Sequence, residues 1–183
     1  EGQQMDMDFE SSNDVNVEDY LKMIELKTAA LIKLAMEMGS MLGGARREDI
    51  VELSGFGNNL GMAFQLQDDI LDVYATTGNF GKKRGGDIIA GKKTYLYLIA
   101  NQLANNGMQL QLNKAFFSKE LNDDKKIEEV TRVYNELKVV SVAEKKMQEY
   151  YQKALQCMEK VSVSDEKKKD LILLANQLMV RDR

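Results

Sequence analysis

Apolar residues recur at helical spacing along this chain, and that periodicity constrains its fold more than any other feature. They stand three or four residues apart between Val17 and Leu42, and a similar pattern runs from Glu48 to about Tyr74. Strand-type alternation of apolar and polar residues extends over no useful length. The chain also contains no proline, the residue that most strongly interrupts a helix. The sequence therefore predicts an all-α protein, and a length of 183 residues suits one domain spanning 1–183.

The composition argues against several classes of function. No histidine is present, which removes the usual general base at neutral pH, the Ser-His-Asp triad and most transition-metal sites. A net charge of −4 argues against a nucleic-acid partner, which would favour a clustered basic surface. No apolar run reaches the roughly 18 residues that a membrane-spanning helix needs, and a single cysteine, Cys157, suits a reducing compartment. We therefore expect a cytoplasmic protein whose chemistry depends on carboxylates, lysines, amides and hydroxyls.

An acidic cluster ends the second long helical pattern. Asp68 and Asp72 lie one turn apart and can hold the same cation, whereas Asp69 lies about 100° round the helix. Repulsion between such carboxylates costs roughly a few tenths of a kcal/mol on an isolated helix, and bound Mg²⁺ would offset it. An ordinary solvated surface is the alternative interpretation. Gly57 and Gly61 share the face of Asp68 and Asp72 and allow another helix to pack closely, which favours a partly buried site.

A loop rich in glycine and lysine follows the acidic cluster directly. Its cations are Lys82, Lys83, Arg84, Lys92 and Lys93. Its glycine spacing does not match a nucleotide-binding P-loop, so phosphate would have to be bound by side-chain charge. The sequence thus places carboxylates for a metal beside cations for a phosphate.

The rest of the chain predicts scaffold. A turn is expected at 105–107, and helices are expected from Asp123, through Ala143 to Met158, and after a cap at Ser164 or Asp165.

Several motifs together resemble a known family. The segment FQLQDDILD, followed by GK, GGDI and GKKT, resembles the second aspartate-rich motif and flanking loop of the trans-isoprenyl diphosphate synthases, which include the farnesyl and geranylgeranyl diphosphate synthases. The resemblance continues in GQxxD, at Gly2, Gln3 and Asp6, and in KTAAL, at Lys27 and Thr28. It implies an isoprenoid-synthase-type helical bundle around a central cavity, of which this chain would be the C-terminal portion.

The resemblance also implies a role for each matching residue. Metal ligands, or acids linked to the metal, would be Asp68, Asp69, Asp72, Asp6 and Asp87. Diphosphate would be bound by Lys27, Lys82 and Lys92, with Lys83 as an alternative to Lys82. Gln3 and Phe64 would belong to the substrate-binding site, and the Thr28 hydroxyl and Gln65 amide oxygen would face the developing cation.

The implied activity is a Mg²⁺-dependent prenyl transfer that joins an allylic diphosphate to isopentenyl diphosphate in isoprenoid biosynthesis. Farnesyl or geranylgeranyl diphosphate would be the product, although the sequence does not define the product length. Loss of diphosphate leaves a delocalised cation, which the double bond of isopentenyl diphosphate attacks. The family's final proton loss is assigned to the released diphosphate, which agrees with the missing histidine. A homodimer is the implied assembly.

Alternatives to this hypothesis remain. In the family, the first DDxxD motif and the arginines that hold isopentenyl diphosphate lie upstream of GQxxD, and neither appears in this chain. We therefore expect a chain truncated at its N-terminus and inactive by itself. A non-catalytic partner subunit of a prenyl diphosphate synthase is the alternative function, although a binding subunit has no physical need for the acidic cluster. A terpene cyclase fits less well, because the lysine loop and the Lys-Thr pair suit diphosphate condensation.

Overall fold

A computed structural model describes residues 1–12, 14–75 and 84–180. Within these ranges the chain forms α-helices and one π-helical turn and no strand, which confirms the all-α prediction. In chain order the helices are α1 (Gly2–Ser11), α2 (Val17–Ile24), α3 (Ala30–Leu42), α4 (Arg47–Tyr74), α5 (Gly86–Ala90), α6 (Tyr95–Leu103), α7 (Asn106–Phe116), α8 (Asp123–Glu136), α9 (Val139–Lys160) and α10 (Asp165–Met179). The π-turn (Glu25–Ala29) joins α2 to α3.

Asparagine side chains begin three of the helices. Asn16 accepts a hydrogen bond from the Asp19 backbone N–H while the Asp19 carboxylate accepts one from the Asn16 N–H, which forms a capping box at α2. Asn122 caps α8, and Asn105 caps α7 by accepting from the Met108 N–H. The sequence predicts only a turn at 105–107, so α7 was missed. Much of it faces solvent, with Leu110 72% exposed, so its apolar periodicity is weak.

α4 is the central helix of the fold. Its 28 residues make it about 42 Å long. It packs against α9 along one side and against α3 and the π-turn along another. Phe56 and Leu66 of α4 are almost fully buried in one apolar core, together with Tyr134 of α8 and Met158 of α9. This core holds α4 rigidly, so the side chains at its C-terminal end have fixed positions.

The π-turn interrupts the helix that the sequence predicts between Val17 and Leu42. The Ala30 backbone N–H bonds to the Glu25 carbonyl, five residues back, instead of to the residue four back. The turn contains Lys27 and Thr28, the two residues of the KTAAL motif for which the sequence predicts a role in the site. Such single π-turns frequently occur at functional sites.

Gly57 and Gly61 allow α4 to approach the π-turn and α3 at backbone distance. A Cβ atom built on Gly61 would lie 2.6 Å from the Ala29 Cα, and one on Gly57 would lie 2.9 Å from the Ile32 carbonyl oxygen. Real Cβ atoms do not occur so close to backbone atoms. The close helix contact that the sequence predicts on this face of α4 is therefore present.

One face of α3 is apolar and exposed. The residues that form it are Leu31, Leu34, Met38, Met41 and Leu42, each at least half exposed. They recur three or four residues apart and so form one continuous stripe. A contiguous apolar surface of this kind is typical of a face that other polypeptide, a membrane or a ligand covers. Separately, none of the helices in the described ranges is both long and apolar enough to cross a membrane.

Gly61→Ala is expected to lower the free energy of unfolding by about 1–3 kcal/mol, because the added methyl group meets backbone atoms that move only if the helices separate. Gly39→Ala is the matched control in α3, where a Cβ atom would have no neighbour within 4 Å. It should raise stability by roughly 0.5–1 kcal/mol through helix propensity. Urea unfolding followed by circular dichroism measures both changes. Equal stabilisation by the two substitutions would contradict the close contact.

Candidate functional site

Three parts of the fold surround one pocket: α1, the α2–π-turn segment, and the C-terminal half of α4 with the segment from Asp87 to Thr94. The cavity encloses about 80 Å³. Of the predicted site residues it is lined by Asp6, Lys27, Gln65, Asp69, Asp87 and Lys92. Asp68, Asp72, Thr28, Phe64 and Gln3 do not line this cavity, and Lys82 and Lys83 lie outside the described residues. The pocket therefore combines acids and cations from elements far apart in the sequence.

Asp6 and Lys27 form an ion pair between α1 and the π-turn. The Lys27 Nζ lies 2.5 Å from the Asp6 Oδ2, and both side chains remain partly exposed to the pocket. Gly2 makes the pair possible, because a Cβ atom there would lie 2.4 Å from the Lys27 backbone nitrogen. The close approach of α1 thus brings a carboxylate to a lysine 21 residues away.

Asp69 is buried, with only 3% of its surface exposed. Its Oδ2 accepts a hydrogen bond of 2.6 Å from the Tyr20 hydroxyl, and its Oδ1 accepts one of 3.2 Å from the Gln65 Nε2. The Tyr95 backbone N–H, at the first turn of α6, also donates to this carboxylate. Burial raises the pKa of Asp69 to about 7, with a further contribution from the negative charge of Asp87, and the hydrogen bonds from Tyr20 and Gln65 oppose that rise. Asp69 therefore links α2, α4 and α6.

Thr28 contacts Gln65, which lines the pocket. The Thr28 hydroxyl donates a 2.8 Å hydrogen bond to the Gln65 amide oxygen. The contact depends on the approach of α4 to the π-turn at Gly61, one turn before Gln65. The two dipoles that the sequence places 37 residues apart are thus adjacent in the fold.

Asp72 caps the short helix α5. Its Oδ2 accepts a 3.0 Å hydrogen bond from the Asp87 backbone N–H, and the Gly86 N–H also donates to its carboxylate. Burial raises the pKa of Asp72, and the nearby Asp87 carboxylate raises it further. Asp72 therefore sets the position of Asp87, whose own side chain lines the pocket.

The adjacent lysines Lys92 and Lys93 make different contacts. Lys92 is half exposed and lies 3.4 Å from the Asp87 carboxylate. Lys93 donates to the carbonyl oxygens of Phe9 and Glu10 at the C-terminal end of α1, at 2.7 and 3.4 Å. A cation is favourable at that end of a helix dipole, so Lys93 attaches α1 to the pocket. Lys92 keeps an accessible amine beside it.

The acids among the described residues do not form a metal centre by themselves. Within residues 1–12, 14–75 and 84–180, no three Asp, Glu or Cys side chains are close enough to hold one metal ion. Asp68 is half-buried on α4. Magnesium generally takes oxygen ligands, keeps several waters and uses only one or two carboxylates together with substrate phosphates. The donor set therefore fits a magnesium ion that shares its coordination with a bound diphosphate.

Two other predicted residues lie at the margin of the site. Phe64 is half-buried on α4, and Gln3 is exposed on α1. Sequence reasoning missed Tyr20, which was assigned only to an apolar face, and the attachment of α1 by Lys93. Tyr20 precedes Lys27 by seven residues, about two helical turns, and this spacing was the one available signal.

Proteins similar to this chain in sequence and architecture include prenyl diphosphate synthases. The chain is 35% identical over 164 residues to a geranylgeranyl diphosphate synthase of Sulfolobus acidocaldarius, a match covering 88% of this chain and 48% of that protein. It is 32% identical over 182 residues to a short chain isoprenyl diphosphate synthase of Methanothermobacter thermautotrophicus, covering 100% and 55%. The chain thus spans about half the length of the curated relatives it matches.

Solved structures agree with these sequence matches. A crystal structure of a geranylgeranyl pyrophosphate synthase superposes with a TM-score of 0.91 at 38% identity, over 100% of this chain and 57% of that one. A geranylgeranyl pyrophosphate synthetase from Pyrococcus horikoshii Ot3 gives a TM-score of 0.89 at 30% identity, over 99% and 54%. These likenesses confirm the predicted isoprenoid-synthase fold. Residues 1–137 match the family model described as polyprenyl synthetase, and the chain belongs to that family.

Proposed function

We propose that this protein is a Mg²⁺-dependent prenyltransferase that condenses an allylic diphosphate with isopentenyl diphosphate. The observation that carries the proposal is the pocket, in which amines for a diphosphate, carboxylates for a metal and the Gln65 amide come together. The names of the relatives support a short-chain product such as geranylgeranyl diphosphate.

Departure of the diphosphate is the step that the charged residues would assist. The Lys27 and Lys92 amines are held beside Asp6 and Asp87 and remain partly exposed. Such preorganised cations favour the charge that develops on a leaving group. Magnesium, when bound, would be held by Asp68, Asp72 and Asp6. It would supply further positive charge to the leaving diphosphate. The carboxylate partners keep the amines in place before substrate arrives.

The cation left behind would be stabilised by neutral dipoles. Thr28 directly follows Lys27 in the π-turn, so one short segment carries both the amine proposed for the leaving group and a hydroxyl that bonds to Gln65. Gln65 accepts the Thr28 hydrogen bond and lines the pocket itself. Oxygen dipoles beside a cation lower its energy without reacting with it. No protein base is needed if the released diphosphate takes the final proton.

Assembly and location complete the proposal. The exposed apolar face of α3, defined above, supports burial against further polypeptide, and a homodimer in the cytoplasm is the assembly we propose. The same exposed face also favours a second candidate, a non-catalytic partner subunit. The two functions differ in whether the intact protein condenses its substrates.

The double variant Asp68→Ala/Asp72→Ala is expected to reduce Mg²⁺-dependent condensation by the intact protein more than about 100-fold, because the metal would lose its carboxylates. Incorporation of radiolabelled isopentenyl diphosphate measures the rate, and circular dichroism measures the fold. Glu166→Ala/Asp170→Ala is the matched control, since these exposed acids have the same spacing on α10. It should retain full activity. Full activity in the Asp68→Ala/Asp72→Ala variant would remove these residues from the metal site.

Lys27→Ala is expected to raise the KM for the allylic diphosphate about tenfold to a hundredfold, because a charge-assisted hydrogen bond to the diphosphate is lost. The KM for isopentenyl diphosphate should change much less. Lys33→Ala removes an exposed lysine of α3 and controls for loss of charge. Steady-state kinetics with each substrate varied in turn checks the prediction, and an unchanged KM and kcat in Lys27→Ala would exclude Lys27 from the site.

A further inference from the structure

Four side chains form a continuous hydrogen-bonded relay beside the pocket. The relay runs from Tyr20 of α2 to Asp69, then to Gln65, both of α4, and ends at Thr28 of the π-turn. Its three links measure 2.6, 3.2 and 2.8 Å. Two of its members, Gln65 and Thr28, carry the dipoles assigned to the cation under the proposed function, and the inference rests on that function.

The chemistry of Asp69 fixes the direction of every link. In its ionised form, which prevails above about pH 7, Asp69 accepts hydrogen bonds and donates none. Asp69 receives them from the Tyr20 hydroxyl, the Gln65 Nε2 and the Tyr95 backbone N–H. The nitrogen end of the Gln65 amide must therefore face Asp69. Its oxygen then faces Thr28, whose hydroxyl must donate.

This direction determines what the relay presents at its far end. A threonine hydroxyl has one hydrogen and two lone pairs, and its hydrogen is engaged by Gln65. Both lone pairs of Thr28 are left for another positive group. An amide turned the other way would place its NH₂ group at Thr28 and draw one of those lone pairs into the relay.

Asp69 is poorly suited to bind a metal directly. A carboxylate has about four lone-pair positions, and three donors already converge on this one. The side chain is 3% exposed, and it points about 100° away from Asp68 round the helix. Only one lone-pair position remains, and it belongs to a carboxylate that is almost fully buried, where a hydrated metal ion has little room.

We propose that Asp69 is a positioning residue, which fixes the amide of Gln65 and through it the hydroxyl of Thr28, so that their oxygen dipoles face the allylic cation. Tyr20 supports it by holding the second carboxylate oxygen. Asp69 acts on the reaction through Gln65 and touches neither substrate nor metal.

Asp69→Asn tests the proposal with almost no change in shape. If the asparagine oxygen accepts the hydrogen bond from Tyr20, its NH₂ group faces Gln65. The Gln65 amide then rotates so that its oxygen faces position 69. In the intact protein at pH 8 we expect kcat to fall about tenfold or more. The Mg²⁺ concentration for half-maximal rate and the KM for the allylic diphosphate should stay within about twofold. A Mg²⁺ requirement raised in proportion to the loss of rate would overturn the proposal in favour of a metal ligand.

The double variant Asp69→Asn/Gln65→Glu provides a rescue. The carboxylate then stands at position 65, where it accepts from both the amide introduced at position 69 and the Thr28 hydroxyl, and so restores the donating hydroxyl. Recovery of kcat by about tenfold over Asp69→Asn supports positioning, and no recovery overturns it. Tyr20→Phe leaves the Gln65 link intact, so it should cost less than Asp69→Asn, and a larger cost would contradict the order of the relay.

Nuclear magnetic resonance of the Gln65 side-chain amide tests the relay without catalysis. The Nε2 proton that bonds to Asp69 should be protected from solvent exchange in the unsubstituted chain, and Asp69→Asn should shift its resonance. Unchanged resonances overturn the relay. An intact unsubstituted protein that condenses nothing would instead refute the proposed function, while this measurement would still decide the direction of the hydrogen bonds.

Discussion

The backbone contact between α4 and the π-turn is the constraint on which the pocket depends. Gly61 permits it, because any side chain there would meet Ala29. Once the two segments touch, Thr28 reaches Gln65, and the neighbouring Lys27 pairs with Asp6. Side-chain chemistry at the site therefore follows from a residue that has no side chain.

Charge in the pocket is balanced before any ligand binds. Lys27 is paired with Asp6, and Lys92 lies beside Asp87. Partly exposed pairs of this kind contribute little to stability by themselves. Their effect is to hold the two amines in position. A diphosphate with its magnesium could replace both interactions at once, since its oxygens suit the amines and its metal suits the acids.

The helices were predictable from sequence because their periodicity records burial directly. The bounds expected for α4 differ from the observed ones by one residue, and Lys27 and Thr28 do mark an interruption. The family motifs also indicated six of the residues that line the pocket. Local sequence patterns predict the helices because the spacing of apolar residues reflects the helix on which they lie.

Other features depend on packing that no local pattern records. The sequence grouped Asp69 with Asp68 and Asp72 as metal acids, yet only the docking of α2 shows that Asp69 faces Tyr20 inside the core. That the interruption at Lys27 is a π-turn was equally hidden, because a π-turn and an α-turn share one composition. Lys92 and Lys93 make different contacts because the C-terminal end of α1 lies beside Lys93, and that placement depends on tertiary packing.

The burial of Asp69 also couples folding to proton uptake. Its pKa is about 7 in the folded chain and about 4 in an unfolded one. Between these values the folded state holds a proton that the unfolded state has released, so the contribution of Asp69 to stability is largest below about pH 4 and declines as pH rises toward 7. The difference amounts to about 4 kcal/mol at neutral pH and above. The same carboxylate that orders the site thus favours unfolding under the conditions in which the site would work.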